Sequence, residues 1–120
     1  REYAGKDTNK HESLNGETIR KIRDLGRIAR FTEAKDLFEE TKDKDCILYS
    51  AIISAASRNG LFDEGIQLWE EMKKSDVELT DSVYSAMLKL LGEKGDYEEA
   101  KRIWEEMHDK GLTQKGSPRQ

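Results

Sequence analysis

The chain repeats itself at a distance of 35 residues. Laid without gaps over residues 81–115, the segment 46–80 brings Tyr49, Ser50, Ala51, Gly60, Glu64, Trp69, Glu70, Glu71 and Met72 onto Tyr84, Ser85, Ala86, Gly95, Glu99, Trp104, Glu105, Glu106 and Met107. A fixed period in this range marks stacked supersecondary units, none of which can bury its apolar face alone. The repeat therefore restricts the architecture before any single residue is weighed.

Composition agrees with that restriction. Across 120 residues, 35% are hydrophobic and 38% charged, which suits a thin core shared between neighbouring units better than one deep globular core. A net charge of −4 would disfavour a polyanionic partner if it were evenly spread, so its distribution matters. Cys46 is alone and forms no internal disulfide, which fits a reducing compartment. No apolar run approaches the ~18–20 residues a membrane helix needs. The sequence opens on Arg1 rather than Met, so any targeting peptide falls outside it.

Residues 1–14 are polar, mixed in charge and without apolar periodicity, and are expected to form a flexible leader. From Asn15 onward the apolar positions recur at helical spacing. In the 46–80 unit Leu48, Ile52, Ile53 and Ala56 mark one helix and Ile66, Leu68, Trp69 and Met72 the next. Gly60 between them can take the left-handed conformation that closes a helix, and Asp63 suits the positive end of the helix that follows. Gly95, Asp96 and Glu98 repeat the punctuation, which predicts a pair of antiparallel helices per unit.

The first unit aligns with the second at a shift of 31 residues, which sets Phe38 on Trp69 and Ala34 on Gly65. The expected organisation is therefore a leader at 1–14, units at 15–45, 46–80 and 81–115, and a tail at 116–120. Matching depths in the second helices hold Ala34, Gly65 and Ala100 for close approach, then the large aromatics Phe38, Trp69 and Trp104 beside Leu37, Leu68 and Ile103. These aromatics are expected to fill equivalent core positions.

The Tyr-Ser-Ala openings at 49–51 and 84–86, the Gly-x-x-x-Glu at 60–64 and 95–99, and the Trp-Glu-Glu-Met at 69–72 and 104–107 resemble pentatricopeptide repeats. The 31-residue first unit beside 35-residue neighbours is similar to the mixed-length subclass of that family. The related tetratricopeptide repeat has a period of 34, one short of what the ungapped match requires. The resemblance implies an all-α right-handed solenoid of three helix-turn-helix repeats whose first helices line a concave, single-stranded-RNA-facing side. It also implies a mitochondrial or plastid location and a role in RNA processing, editing, stability or translation.

Charge counted helix by helix is consistent with such a face. The expected first helices (residues 17–30, 47–59 and 82–94) total +5 and the second helices (32–44, 63–76 and 96–110) total −8. Like helices of a solenoid share a surface, so Arg20, Lys21, Arg23, Arg27, Arg58, Lys89 and Lys94 would make one face basic. Of these, Arg20, Arg23, Arg27, Arg58 and Lys89 are the candidate phosphate contacts.

In this family a polar residue just after the opening aromatic and the last residue of the repeat choose the base, while an aliphatic near the repeat start packs on it. The second unit offers Ser50, Thr80 and Ile47, the third Ser85, Lys115 and Ser82, and the first Ile19, Asp45 and Gly16. Thr80 and Lys115 depart from the Asp, Asn or Ser usual at the last position, and Asp45 is partnered by apolar Ile19. These departures keep open a second reading, a protein-interaction subunit of an organelle assembly such as a ribosome or respiratory complex.

No catalytic constellation emerges. His11, His108 and Cys46 lack metal-ligand or nucleophile spacing, the zinc-deaminase signatures are missing, and the glycines form no phosphate loop. No cofactor or metal is expected, and no enzymatic activity.

Overall fold

The computed structural model describes residues 16–112, and these form six helices with no strand among the described residues. They are α1 (Gly16–Arg27), α2 (Phe31–Glu40), α3 (Cys46–Arg58), α4 (Phe62–Lys73), α5 (Asp81–Lys94) and α6 (Tyr97–Asp109). The boundaries fall within a few residues of those the periodicity predicts. The expected leader at 1–14 and the tail at 116–120 lie outside the described residues.

Sequential helices pair as α1–α2, α3–α4 and α5–α6, and the pairs stack mainly through their first helices, α1 on α3 and α3 on α5. Each second helix also touches the first helix of the next pair, α2 on α3 and α4 on α5, while the second helices make no comparable contact with one another. The first helices consequently form the closely packed inner layer and the second helices the outer one. Helix α3 lies at the centre of this stack. Its apolar residues are not confined to one stripe, and Leu48, Tyr49, Ala51, Ile52, Ile53, Ala55 and Ala56 are all buried.

Close approach within the inner layer depends on small residues. Gly26 of α1 sits against Ala55 of α3, where an added Cβ would come within 2.9 Å of the alanine Cβ and 3.2 Å of its Cα. Asn59 ties the same seam by donating from Nδ2 to the carbonyl of Gly26 at 3.2 Å and to that of Ala55 at 2.7 Å.

The helix ends share one device. After α1, α3, α5 and α6 the chain turns through a left-handed residue, and two reversed backbone bonds close the last turn. Leu61 N–H donates to the Ala56 carbonyl and Asp96 N–H to that of Leu91, with Gly60 and Gly95 at positive φ. In the first unit the same geometry falls on Ala29, at φ 63°, with Arg30 N–H donating to the Leu25 carbonyl. The period shift of 31 places Ala29 opposite Gly60, so the fold requires at Ala29 a conformation that glycine adopts without cost.

The shorter first unit is accommodated without disturbing the stack. Its missing residues are shared between a second helix of 10 residues against 12 and a linker of 41–45 against 74–80.

Two of the three matched aromatics behave as expected. Phe38 is fully buried with its ring edge-on to Tyr49 at 5.0 Å, and Trp69 is likewise edge-on to Tyr84 at 5.4 Å. Trp104 departs from the expectation, being 48% exposed against 2% for Trp69. The reason lies in the stacking order: each of these rings is covered by the first helix of the following pair, and among the described residues no helix follows α6.

Candidate nucleic-acid interface

The inner layer presents a groove of about 320 Å³ that all three first helices line. Arg23 comes from α1, Ser50, Ala51 and Ser54 from α3, and Ser82, Ser85, Ala86 and Lys89 from α5. Their juxtaposition follows from the repeat. Ser50 and Ser85 are one period apart, as are Ala51 and Ala86, while Arg23, Ser54 and Lys89 occupy a single register across the three units. No carboxylate lines this groove, whereas the outer helices are rich in Glu and Asp.

Five of the sequence-nominated residues, Arg23, Ser50, Ser82, Ser85 and Lys89, therefore meet in one place. Ser50 and Ser85 differ in their surroundings. Ser85 is exposed, while Ser50 is 8% exposed and donates its hydroxyl proton to the Cys46 carbonyl at 3.0 Å. Its remaining lone pairs can still accept.

Thr80 and Asp45, the last residues of their units, lie instead at the linker edge in a second depression of about 420 Å³ shared with Lys44, Cys46, Asp76, Val77 and Glu78. Both stand at the helix position before the first turn, with different results. The Asp45 carboxylate accepts from the Leu48 N–H at 2.9 Å and caps α3, whereas Thr80 makes no such bond to α5 and its hydroxyl meets the Cys46 thiol at 2.8 Å. Cys46 thus stands between the nominated pair, its carbonyl holding Ser50 and its sulfur touching Thr80.

The other nominated residues are more scattered. Arg20, Lys21 and Arg58 are exposed on α1 and α3 outside the groove lining. Arg27 is drawn into an ion pair with Asp24, and Lys94 lies 4.0 Å from Asp96. Ile47 is half-buried, Ile19 is buried in the core, and Lys115 lies outside the described residues. Sequence reasoning passed over Ser54. The signal was present, because Ser54 shares the register of Arg23 and Lys89.

Two tyrosines of the first helices, packed against the second helices, titrate above their ordinary range. Burial pushes up Tyr84 first, reinforced by the hydrogen bond its hydroxyl donates to Glu106 Oε2 at 2.6 Å. Burial likewise raises Tyr49, aided by the charges of Glu71 and Glu39. The Tyr84 hydroxyl thereby joins an inner helix to an outer one, while Tyr49 does so through its ring against Phe38. Among the described residues no cluster of His, Cys, Asp and Glu could hold a metal ion, and no helix is long and apolar enough to cross a membrane.

Stacked helix pairs with a common groove along their first helices define a helical-repeat protein. The sequence profile of the PPR repeat family matches residues 44–93, and that of the PPR repeat matches residues 82–112. A pentatricopeptide repeat-containing protein of Arabidopsis thaliana is 30% identical over 63 residues, which are 52% of this chain and 9% of that protein. The chain belongs to the pentatricopeptide repeat family, whose members are generally non-enzymatic RNA-binding proteins. It spans a small part of the length of that relative.

Proposed function

We propose that this chain is a single-stranded-RNA-binding module whose ligand runs along the groove of the first helices, in an organelle RNA-processing, editing, stability or translation role. The observation that carries the reading is the lining itself: Arg23 and Lys89 bracket the hydroxyls of Ser50, Ser54, Ser82 and Ser85, with no carboxylate among them. The cations would take backbone phosphates. The serine hydroxyls, which can donate or accept, would meet base edges or ribose hydroxyls.

Base choice in this reading falls to Ser50 with Thr80 and to Ser85 with Lys115, with Ile47 as the packing aliphatic of the second unit and Asp45 as the last residue of the first. Magnitudes limit what they can do alone. Contacts with two or three bases at ~1–3 kcal/mol each must first offset the cost of association, so this length of chain binds RNA weakly.

The test is RNA binding titrated at two salt concentrations. Each phosphate neutralised contributes a slope of about −0.7 in log affinity against log salt for a single strand. Arg23→Glu combined with Lys89→Glu should abolish binding at unchanged helicity, and the single reversals should weaken it and flatten that slope. The competing reading, a protein-interaction subunit of an organelle assembly, is favoured by one observation: Ser50 is nearly buried and Thr80 is engaged with Cys46. Absent or salt-insensitive RNA binding would decide for it.

A further inference from the structure

One helical turn beyond the groove the charge of the inner layer changes sign in the third unit. Arg23, Ser54 and Lys89 line the groove, and four residues on, where a helix returns to the same face, the first helices carry Arg27, Arg58 and Glu93. The shifts of 31 and 35 residues that align the units align these three as well. A carboxylate therefore stands on α5 where α1 and α3 have a guanidinium.

Helix physics alone does not favour that carboxylate. All three residues sit in the last turn of their helices, where the negative end of the helix dipole suits a base and opposes an acid. Arg27 and Arg58 obey the preference and Glu93 violates it. A residue of the neighbouring unit holds it in place: the hydroxyl of Ser57, itself 4% exposed, donates to Glu93 Oε1 at 3.0 Å. The counterpart of Ser57 in the first unit is Gly26, which has no side chain to offer, and Asn59 ties that seam instead.

The clip keeps the Glu93 charge on the inner layer. Four residues at ~1.5 Å each put it about 6 Å along the helix from the Lys89 level, inside the ~8 Å over which physiological salt screens a charge. A phosphate held by Lys89 therefore feels it.

We infer that Glu93 is a specificity-determining residue of the groove, a fixed carboxylate that repels phosphate at the last turn of α5 and confines a bound strand in the third unit to the Lys89 level. The inference rests on the RNA reading of the groove and adds to it an anionic border that lowers affinity.

The experiment measures binding of a fluorescein-labelled, mixed-sequence single-stranded RNA by anisotropy at two salt concentrations. Four chains are compared: the unaltered one, Glu93→Gln, Glu93→Lys and Glu70→Gln. Glutamine keeps an oxygen that can accept from Ser57, so Glu93→Gln removes the charge and spares the clip. Glu70, exposed on the outer helix α4, controls for net charge. Glu93→Gln should tighten binding several-fold and Glu70→Gln much less. Glu93→Lys should tighten it further and steepen the salt slope by about 0.7, the mark of one added phosphate contact. Should the lysine variant lose helicity, the two glutamine variants still decide. A Glu93→Gln chain that binds no tighter than the unaltered chain, or no tighter than Glu70→Gln, would overturn the inference while salt-dependent binding of the unaltered chain left the RNA reading standing. Absence of salt-dependent binding in all four chains would remove both.

Discussion

Two tryptophans identical in sequence context answer differently to the same substitution. Trp69 is enclosed by α5 and edge-on to Tyr84, so Trp69→Ala removes a large ring from a packed seam and should cost ~3–5 kcal/mol. Trp104→Ala in the same chain should cost clearly less, because about half of that ring is already in water. Urea midpoints of the two variants measure the contrast directly. Tyr84 supplies a pH-dependent counterpart. Its pKa in the fold stands above the unfolded value of about 10, so its contribution is fully present below that pH and is lost as the pH rises through the folded value. Stability should fall on titration above about pH 10, and less steeply in Tyr84→Phe. At this scale the sequence was informative about which residues recur and silent about which are covered. Identical Tyr-Ser-Ala openings do not reveal that Ser50 is nearly buried while Ser85 is open, because burial depends on how many neighbours stack on a helix.

Helix existence and order were legible because the apolar spacing recurs in every unit and the glycine punctuation agrees with it in the second and third. What remained illegible was the position that breaks the pattern. Ala29 takes the left-handed conformation that Gly60 and Gly95 take, and only the reversed bond from Arg30 to Leu25 exposes the requirement. Ala29→Gly should therefore stabilise the chain by about 0.5–1 kcal/mol, the relief of the left-handed strain less the added freedom of the unfolded chain. Gly95→Ala should destabilise by a similar amount, since its φ is 91° and no side chain crowds the site. Both are read from urea midpoints at constant slope. The capping positions carry the same lesson. Asp45 and Thr80 are one period apart, yet the carboxylate caps its helix while the hydroxyl turns to Cys46, a choice governed by which neighbour lies within reach.

At the scale of the molecule, the charge segregation visible in the sequence becomes two layers, and the registers of 31 and 35 bring Arg23, Ser54 and Lys89 to one groove. The expected salt dependence of the proposed RNA binding, and its expected loss on reversing Arg23 and Lys89, belong here, because phosphates respond to the field of the whole face rather than to one side chain. The unequal units have a final consequence. Their difference in length is absorbed where a second helix runs out into its connector, and the inner helices keep step regardless. One rim of the solenoid is thus a place where residues can be gained or lost while the groove on the opposite helices holds its pitch.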